Sequence, residues 1–188
     1  MTSPRSTTIT STAPPRSGRD GSRTWARPAR GRRGARPRAL RPLRRPQGAG
    51  LRVVYADSGA FIALLWRRDR AHQRVRDHYT TLREGGDVLL TSDLVVSETA
   101  TRLRFDAGLD AALAFRSLLE EAVAAGRLLV RHADAELDAR AWDLMQRHPG
   151  LTLSFTDCVG AVTASEGRAA AVFGLDNDFR ALGFALEP

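Results

Sequence analysis

Val53-Val54-Tyr55-Ala56-Asp57-Ser58-Gly59 is the stretch that decides the fold. A short apolar run with β-branched and aromatic residues reads as a strand buried on both faces. It stops at a polar turn, where Ser58 is placed to cap a helix over residues 60–66. Outward from there the alternation continues. Residues 70–83 read as a second helix, closed by Gly85-Gly86. Val88-Leu89-Leu90-Thr91 reads as a strand, and Ser92 caps a helix over residues 93–105 that stops before Gly108. Leu109, Leu113, Leu118, Leu119, Ala122 and Val123 mark one apolar face of a helix over residues 109–125. Leu128-Leu129-Val130 is a third strand. Leu137, Ala141, Leu144 and Met145 recur at helical spacing over residues 133–147, and Pro149-Gly150 ends that helix. Thr156 opens another helix that runs to about Glu166; residues 170–173 and 184–186 read as the fourth and fifth strands. Strands alternating with helices predict an α/β fold with a mainly parallel sheet covered on both faces.

The charge divides the chain in two. All 29 basic residues of the 188 are arginine. Residues 1–50 hold 13 Arg against Asp20, a charge of +12, while residues 51–188 hold 16 Arg against 20 acids, a charge of −4. Seven of the nine prolines also lie in residues 1–50. That segment is expected to be a disordered Arg/Pro-rich arm, because it cannot bury enough apolar surface to offset chain entropy. Two readings of it stand side by side. It is a salt-sensitive tether for nucleic acid, or it is an upstream stretch read in frame, with the natural start near Leu51 or Val53. GC-rich codons favour Arg, Pro, Gly and Ala, and the second reading is the preferred one. Residues 51–188 are expected to form one domain, large enough for one core.

Absences narrow the chemistry. Without lysine there is no Walker phosphate loop and no Schiff-base catalysis. Cys158 is the single cysteine and the four histidines are scattered, so neither a disulfide framework nor a zinc cluster is expected. No run approaches the ~18 apolar residues of a membrane span, and a cytoplasmic protein is expected. The remaining chemistry belongs to carboxylates. In parallel α/β folds, ligands sit beyond the carboxyl ends of the strands. Asp57 follows the first strand, Glu98 lies two turns into the helix after the second, Asp157 sits in the first turn of a late helix, and Asp176 and Asp178 follow the fourth strand. Gathered carboxylates repel by about 4 kcal/mol per pair at ~4 Å and an effective dielectric near 20, so a cluster takes up protons or a cation. An all-oxygen site suits Mg²⁺ or Mn²⁺, ions that bridge phosphates and activate water. Singly, each acid is more often a solvated surface group, and Asp157 in a first turn is also plain dipole compensation. Glu98 stands out because Leu94, Val95 and Val96 make its helix look buried.

At these residues the domain resembles the PIN-domain family, and within it the VapC-like toxins of bacterial toxin–antitoxin pairs. The carrying motifs are Val54-Tyr55-Ala56-Asp57-Ser58-Gly59-Ala60-Phe61, Ser97-Glu98, Thr156-Asp157 and Phe173-Gly174-Leu175-Asp176-Asn177-Asp178-Phe179, and the match runs from residue 52 to about 186. The resemblance implies a three-layer α/β/α fold and metal-dependent endonuclease activity on RNA. It carries the metal-site acids onto Asp57, Glu98, Asp157 and Asp176, a supporting hydroxyl onto Thr156 and a secondary acid onto Asp178. It also implies an RNA substrate, an antitoxin that covers the apolar helices, a homodimer, and Mg²⁺ as the ion, with Mn²⁺ as its substitute. Two alternatives remain: a catalytically silent PIN-fold module that binds RNA or protein, and a small-molecule phosphatase, weakened because Asp57-Ser58-Gly59 lacks the second Asp of a haloacid-dehalogenase motif.

The other conspicuous side chains have plainer readings. His72 is expected to start or pack a helix, Cys158 to be a small buried hydrophobe, and Trp66 and Trp142 to pack in the core or a subunit interface. Arg102, one turn from Glu98, is expected to make an ordinary surface pair.

Overall fold

The computed structural model describes residues 52–188; the disordered arm expected over residues 1–50 lies outside the described residues. Five strands alternate with helices in the order β1 (Val53–Ala56), α1 (Ser58–Leu65), α2 (His72–Gly85), β2 (Val88–Ser92), α3 (Asp93–Asp106), α4 (Leu109–Ala124), β3 (Leu128–Arg131), α5 (Ala135–Arg147), α6 (Phe155–Glu166), β4 (Ala171–Phe173), α7 (Asp178–Ala181) and β5 (Leu186–Glu187). Every strand pair is parallel and the spatial order is β3-β2-β1-β4-β5. The three-layer α/β/α expectation is met, since helices flank the sheet.

β1 takes the centre because its residues are apolar on both faces: Val54, Tyr55 and Ala56 are all fully buried. Side chains alternate across a strand, so Tyr55 points to the face opposite Val54 and Ala56. The Tyr55 side carries α6, and Phe179 of α7 lies 6.2 Å from the Tyr55 ring. The main cluster joins β1, β2 and β4 to Phe61, Leu82, Leu103 and Phe115; a smaller one, made of Leu137, Ala141, Cys158 and Val159, fastens α5 to α6. Cys158 is thus the buried hydrophobe expected of it.

Several boundaries and faces differ from the sequence reading, each for a local reason. α1 begins at Ser58, and its cap is Asp57, whose side chain accepts from Gly59 N at 3.3 Å. Both residues are good caps, but only Asp57 has the extended backbone that a cap requires. α2 closes on Gly86, which adopts the left-handed conformation (φ 78°) that a residue without Cβ takes most readily. The buried stripe of α4 is set by Phe115, whose ring meets Phe61 at 5.3 Å. Leu118, Leu119 and Ala122 follow it inward, whereas Leu109, Leu113 and Val123 are about half exposed. At 100° per residue these three fall roughly 80–160° around the helix from Phe115. The fifth strand is Leu186–Glu187, a little later than expected, because Phe179 and the short helix α7 occupy the approach to it. Arg52, just before β1, links the residue before β2 to the edge strand β5: its guanidinium meets Asp87 at 2.7 Å and Glu187 at 2.8 Å, and His78 Nε2 reaches Glu187 at 2.9 Å.

Candidate active site at the carboxyl edge of the sheet

The strand order locates the crevice. From β1 the chain crosses to β2 and β3 on one side, then returns to β4 on the other. Such a reversal opens a gap beyond the carboxyl ends of the two strands that part there, β1 and β4. Asp57 is the first residue past β1, and its backbone N–H donates to Phe173 O at 3.0 Å, closing the edge against β4. The residue past β4 is Gly174; a Cβ there would stand 3.2 Å from Asp57 Cβ and 3.7 Å from its Oδ2. The bare glycine therefore leaves room beside the Asp57 carboxylate. Asp57 is buried, 5% exposed, and its Oδ1 has no hydrogen-bond partner. Burial pushes its carboxyl up to about 6; the Ser58 and Gly59 backbone N–H groups oppose this, and the negative charges of Asp157 and Glu98 add to it.

Glu98 and Asp157 reach the same edge from two helices. Ser92 ends β2 and caps α3 through Val95 N at 3.3 Å, which fixes the start of the helix that carries Glu98. Glu98 Oε2 is buried without a hydrogen-bond partner. Asp157 stands in the first turn of α6 and makes a capping box with Ser154: Ser154 N donates to Asp157 Oδ2 at 2.7 Å, and Asp157 N donates to Ser154 Oγ at 3.1 Å. Thr156 precedes it on the first turn, half-buried. Asp176 lies farther out, on the exposed turn after β4, where its Oδ1 accepts from Asp178 N at 2.9 Å. Asp178 in turn accepts from Thr152 N at 3.2 Å and so anchors the loop before α6.

The structure thus brings Glu98 and Asp157 close enough to act on the Asp57 carboxyl, and it leaves Asp176 on the exposed turn after β4. Among the described residues, no three His, Cys, Asp or Glu side chains stand close enough to enclose a metal ion as they are. In kind, however, the donors fit one. Two buried carboxylate oxygens, Asp57 Oδ1 and Glu98 Oε2, lack partners, and Gly174 puts no side chain against the Asp57 carboxylate. Unpaired buried carboxylate oxygens are costly unless a cation or proton satisfies them.

Two supporting residues were not legible as such. Tyr55 is fully buried beneath the acids, and its hydroxyl lies 3.4 Å from Ser92 Oγ. Its ring presses on α6 at Gly160, where a Cβ would come within 2.6 Å of the hydroxyl oxygen and 3.0 Å of Cζ. One rigid ring therefore spaces the Asp157 helix from the Glu98 helix. A lone glycine inside a helical pattern was the available signal, since it marks close approach. Burial pushes the Tyr55 hydroxyl far up from its usual value. The remaining side chains do plainer work. His72 Nδ1 lies 2.8 Å from Ala63 O at the start of α2, and Trp66 packs partly against the core. Arg102 pairs with Asp106 at 3.6 Å. Trp142 is more than half exposed, not packed in the core.

Comparison with known proteins agrees with this architecture. The PIN-domain family model matches residues 54–185. The 23S rRNA-specific endonuclease VapC20 of two Mycobacterium tuberculosis strains is 31% identical over 132 residues, covering 70% of this chain and 95% of that protein. The crystal structure of M. tuberculosis VapC20, described as a Sarcin-Ricin loop cleaving toxin, superposes with a TM-score of 0.64 at 26% identity, over 72% of this chain and 99% of that one. VapBC2 from Rickettsia felis, bound to a promoter DNA fragment, shares the fold at a TM-score of 0.51 and 14% identity, over 72% of this chain and 97% of that one. With the switch-point crevice, the parallel sheet and these likenesses together, the chain belongs to the PIN-domain family, among its VapC-like ribonuclease toxins.

Proposed function

We propose that this PIN domain is a divalent-metal-dependent endoribonuclease and the toxin of a toxin–antitoxin pair, with Asp57, Glu98 and Asp157 as its central carboxylates and Asp176 at the rim. The observation that carries the reading is the buried Asp57 carboxylate at the sheet's switch point, with Oδ1 unpartnered and two further acids close enough to raise its proton affinity. Mg²⁺, or Mn²⁺ in its place, would be held by these oxygens and would supply an activated water and charge neutralisation for a phosphodiester. The chain's own part is orientation. Gly59 N–H holds one Asp57 oxygen, Ser154 N–H holds one of Asp157, and Asp178 N–H holds one of Asp176. Glu98 has the longest side chain of the set and closes it by rotation. Thr156 is a supporting hydroxyl in the first turn of α6, and Asp178 acts through Thr152 as an anchor of the loop.

The relatives' ribosomal RNA substrate makes a structured RNA loop the first substrate to try. An antitoxin would cover the apolar side chains that α3 and α4 leave outside, namely Phe105, Leu109, Leu113 and Val123, and would offer a basic side chain to the acids; a homodimer would use part of the same surface. Among the described residues no helix is long and apolar enough to cross a membrane. The test is cleavage of a ribosomal RNA loop by the purified full chain with Mg²⁺, with Mn²⁺ and in excess EDTA. Cleavage with either ion that stops in EDTA is the expected result. Undiminished cleavage in EDTA overturns the metal mechanism, and no cleavage under any condition favours the silent RNA- or protein-binding module.

A further inference from the structure

The corner between α1 and α2 gathers positive charge without a counterpart among the described residues. Residues 67–74 hold Arg67, Arg68, Arg70 and Arg74 against Asp69 alone, in a domain whose 16 Arg and 20 acids leave a charge of −4. All four arginines are exposed. Among the described residues, Arg52, Arg102, Arg116, Arg131 and Arg140 pair with acids, and these four pair with none. The nearest acids in the sequence are already engaged: Asp69 Oδ1 accepts from Ala71 N at 2.7 Å, and Asp77 Oδ1 accepts from Gln73 Nε2 at 2.8 Å. Arg67 and Arg68 follow α1 and soften the negative end of its dipole, but Arg70 and Arg74 lie at the start of α2, where a cation gains nothing of that kind.

The corner overhangs the edge on which the acids stand. α2 delivers the chain to the amino end of β2, and on the way His78 passes the last residues of β4 and β5. The His78 ring lies 5.6 Å from that of Phe173, and its Nε2 lies 2.9 Å from Glu187. The half of α2 before His78 therefore continues past the carboxyl ends of those strands, the side on which the turn after β4 carries Asp176. Arg74 is one turn before His78 on the same stripe of the helix, roughly 6 Å farther out. α1 starts on its cap Asp57, and His72 Nδ1 lies 2.8 Å from Ala63 O, so α2 begins against α1. Measured along α1, the corner is roughly 15 Å from Asp57. That is too far to touch a phosphate held at the acids, and near enough to meet its neighbours along the same strand.

We propose that Arg67, Arg68, Arg70 and Arg74 form the anchoring surface for the phosphate backbone of single-stranded or looped RNA that runs away from the acidic edge; this rests on the ribonuclease reading above. A guanidinium meets a phosphate through two parallel N–H donors. A protein partner is the poorer fit. Protein interfaces have an apolar centre, and none of the large hydrophobic side chains exposed among the described residues lies on α1 or α2. With no lysine in the chain, arginine alone supplies a fixed positive charge to draw RNA to a domain of net negative charge.

The experiment measures binding of the full chain to a fluorescein-labelled, mixed-sequence single-stranded RNA dodecamer in EDTA, by anisotropy, across a KCl series. The test variant combines Arg67→Gln, Arg68→Gln, Arg70→Gln and Arg74→Gln. A control of equal charge combines Arg83→Gln, Arg104→Gln, Arg147→Gln and Arg168→Gln, all exposed elsewhere. Residues 1–50 are the same in every chain compared, so their attraction for RNA cancels in the difference. The slope of log affinity against log salt is expected to become shallower by about 3 in the test variant, as for four lost phosphate contacts on a single strand, and to move far less in the control. A test variant whose slope shifts no more than the control's overturns the proposal. A glutamate dodecapeptide is the rival ligand: if it binds the native chain as tightly as the RNA does and loses as much in the test variant, the corner suits an acidic protein segment and the proposal is overturned. Should the fourfold variant fail to fold, Arg74→Gln alone decides, with a shift of about 0.7 expected and no shift overturning the proposal. Because binding is read without metal, a chain that loses RNA affinity with these arginines yet never cleaves RNA overturns the nuclease reading and keeps this one.

Discussion

Replacing Asp57 by Asn should stabilise the cation-free protein while abolishing cleavage, and the size of the gain is set by burial. The carboxyl is raised from 3.8 to about 6 in the fold. A proton held that much more tightly than in the unfolded chain means about 3 kcal/mol of destabilisation once the group is ionised. The sign follows from proton linkage. Between 3.8 and about 6 the folded chain binds more protons at Asp57 than the unfolded chain does, so stability falls as pH rises through that window and the penalty is constant above it. Asn removes the charge, keeps an oxygen for Gly59 N–H, and turns an N–H toward the neighbouring carboxylates. Its advantage over the native chain should thus be about 3 kcal/mol near pH 7.5, roughly half of that near pH 5, and small near pH 4. For a domain of this size, that is a rise in Tm on the order of 10 °C at the higher pH. The assay is thermal and urea unfolding of both full chains in EDTA across that range. Saturating Mg²⁺ should raise the native chain toward the variant and leave the variant unmoved, since only the native site gains from a cation. A variant less stable than the native chain near pH 7.5, or an advantage that does not change with pH, refutes the argument that Asp57 is a strained, buried charge.

Two further perturbations test the frame around the acids. Gly160→Ala places a methyl 2.6 Å from the Tyr55 hydroxyl oxygen, and neither a buried ring nor a helix backbone yields cheaply. A loss of about 1–3 kcal/mol, with weaker Mg²⁺ binding by calorimetry, is expected; native stability and affinity would show that α6 is free to shift. Glu187→Gln removes the negative charge shared by Arg52 and His78 and one of the two oxygens they bind. Burial pushes the Glu187 carboxyl up, but those two partners outweigh it and hold it below its usual 4.5. The native pairing is therefore present above pH 4.5 and lost as pH falls through the lower folded value. The variant should melt earlier at neutral pH and lose less on acidification; parallel pH–Tm curves would rule this out.

The strand period and the cap residues made most of the fold legible. Val53-Val54-Tyr55-Ala56 is apolar at every position, as a central parallel strand must be, and Ser92 caps the helix expected to follow it. Where two cap residues stand side by side, composition cannot choose between them, and the backbone angles at Asp57 do. The face of α4 differs from the sequence reading because leucines at several helix angles all count as apolar in sequence, while only the tertiary contact of Phe115 with Phe61 fixes the rotation. The spacing role of Tyr55 against Gly160 was out of reach for the same reason: it is a distance between elements far apart in the chain.

Asp157 shows why the ordinary and the functional reading of an acid were never exclusive. Its position in the sequence allows two accounts, dipole compensation in a first turn and a place in a cation site. The structure demonstrates the first, because Ser154 N–H is bound to Oδ2 in a capping box. A carboxylate has two oxygens, however, and fixing one by a backbone donor orients the other. Asp57 repeats the arrangement more clearly, with Oδ2 on Gly59 N–H and Oδ1 left without a partner. Asp176 does the same with Asp178 N–H at the rim. A free carboxylate must lose side-chain entropy to meet an ion, whereas one already held by the backbone has lost most of it on folding. In the proposed site, local capping at these three acids would prepare the edge for a cation, and Glu98, which has no such tether, would be the member left to move.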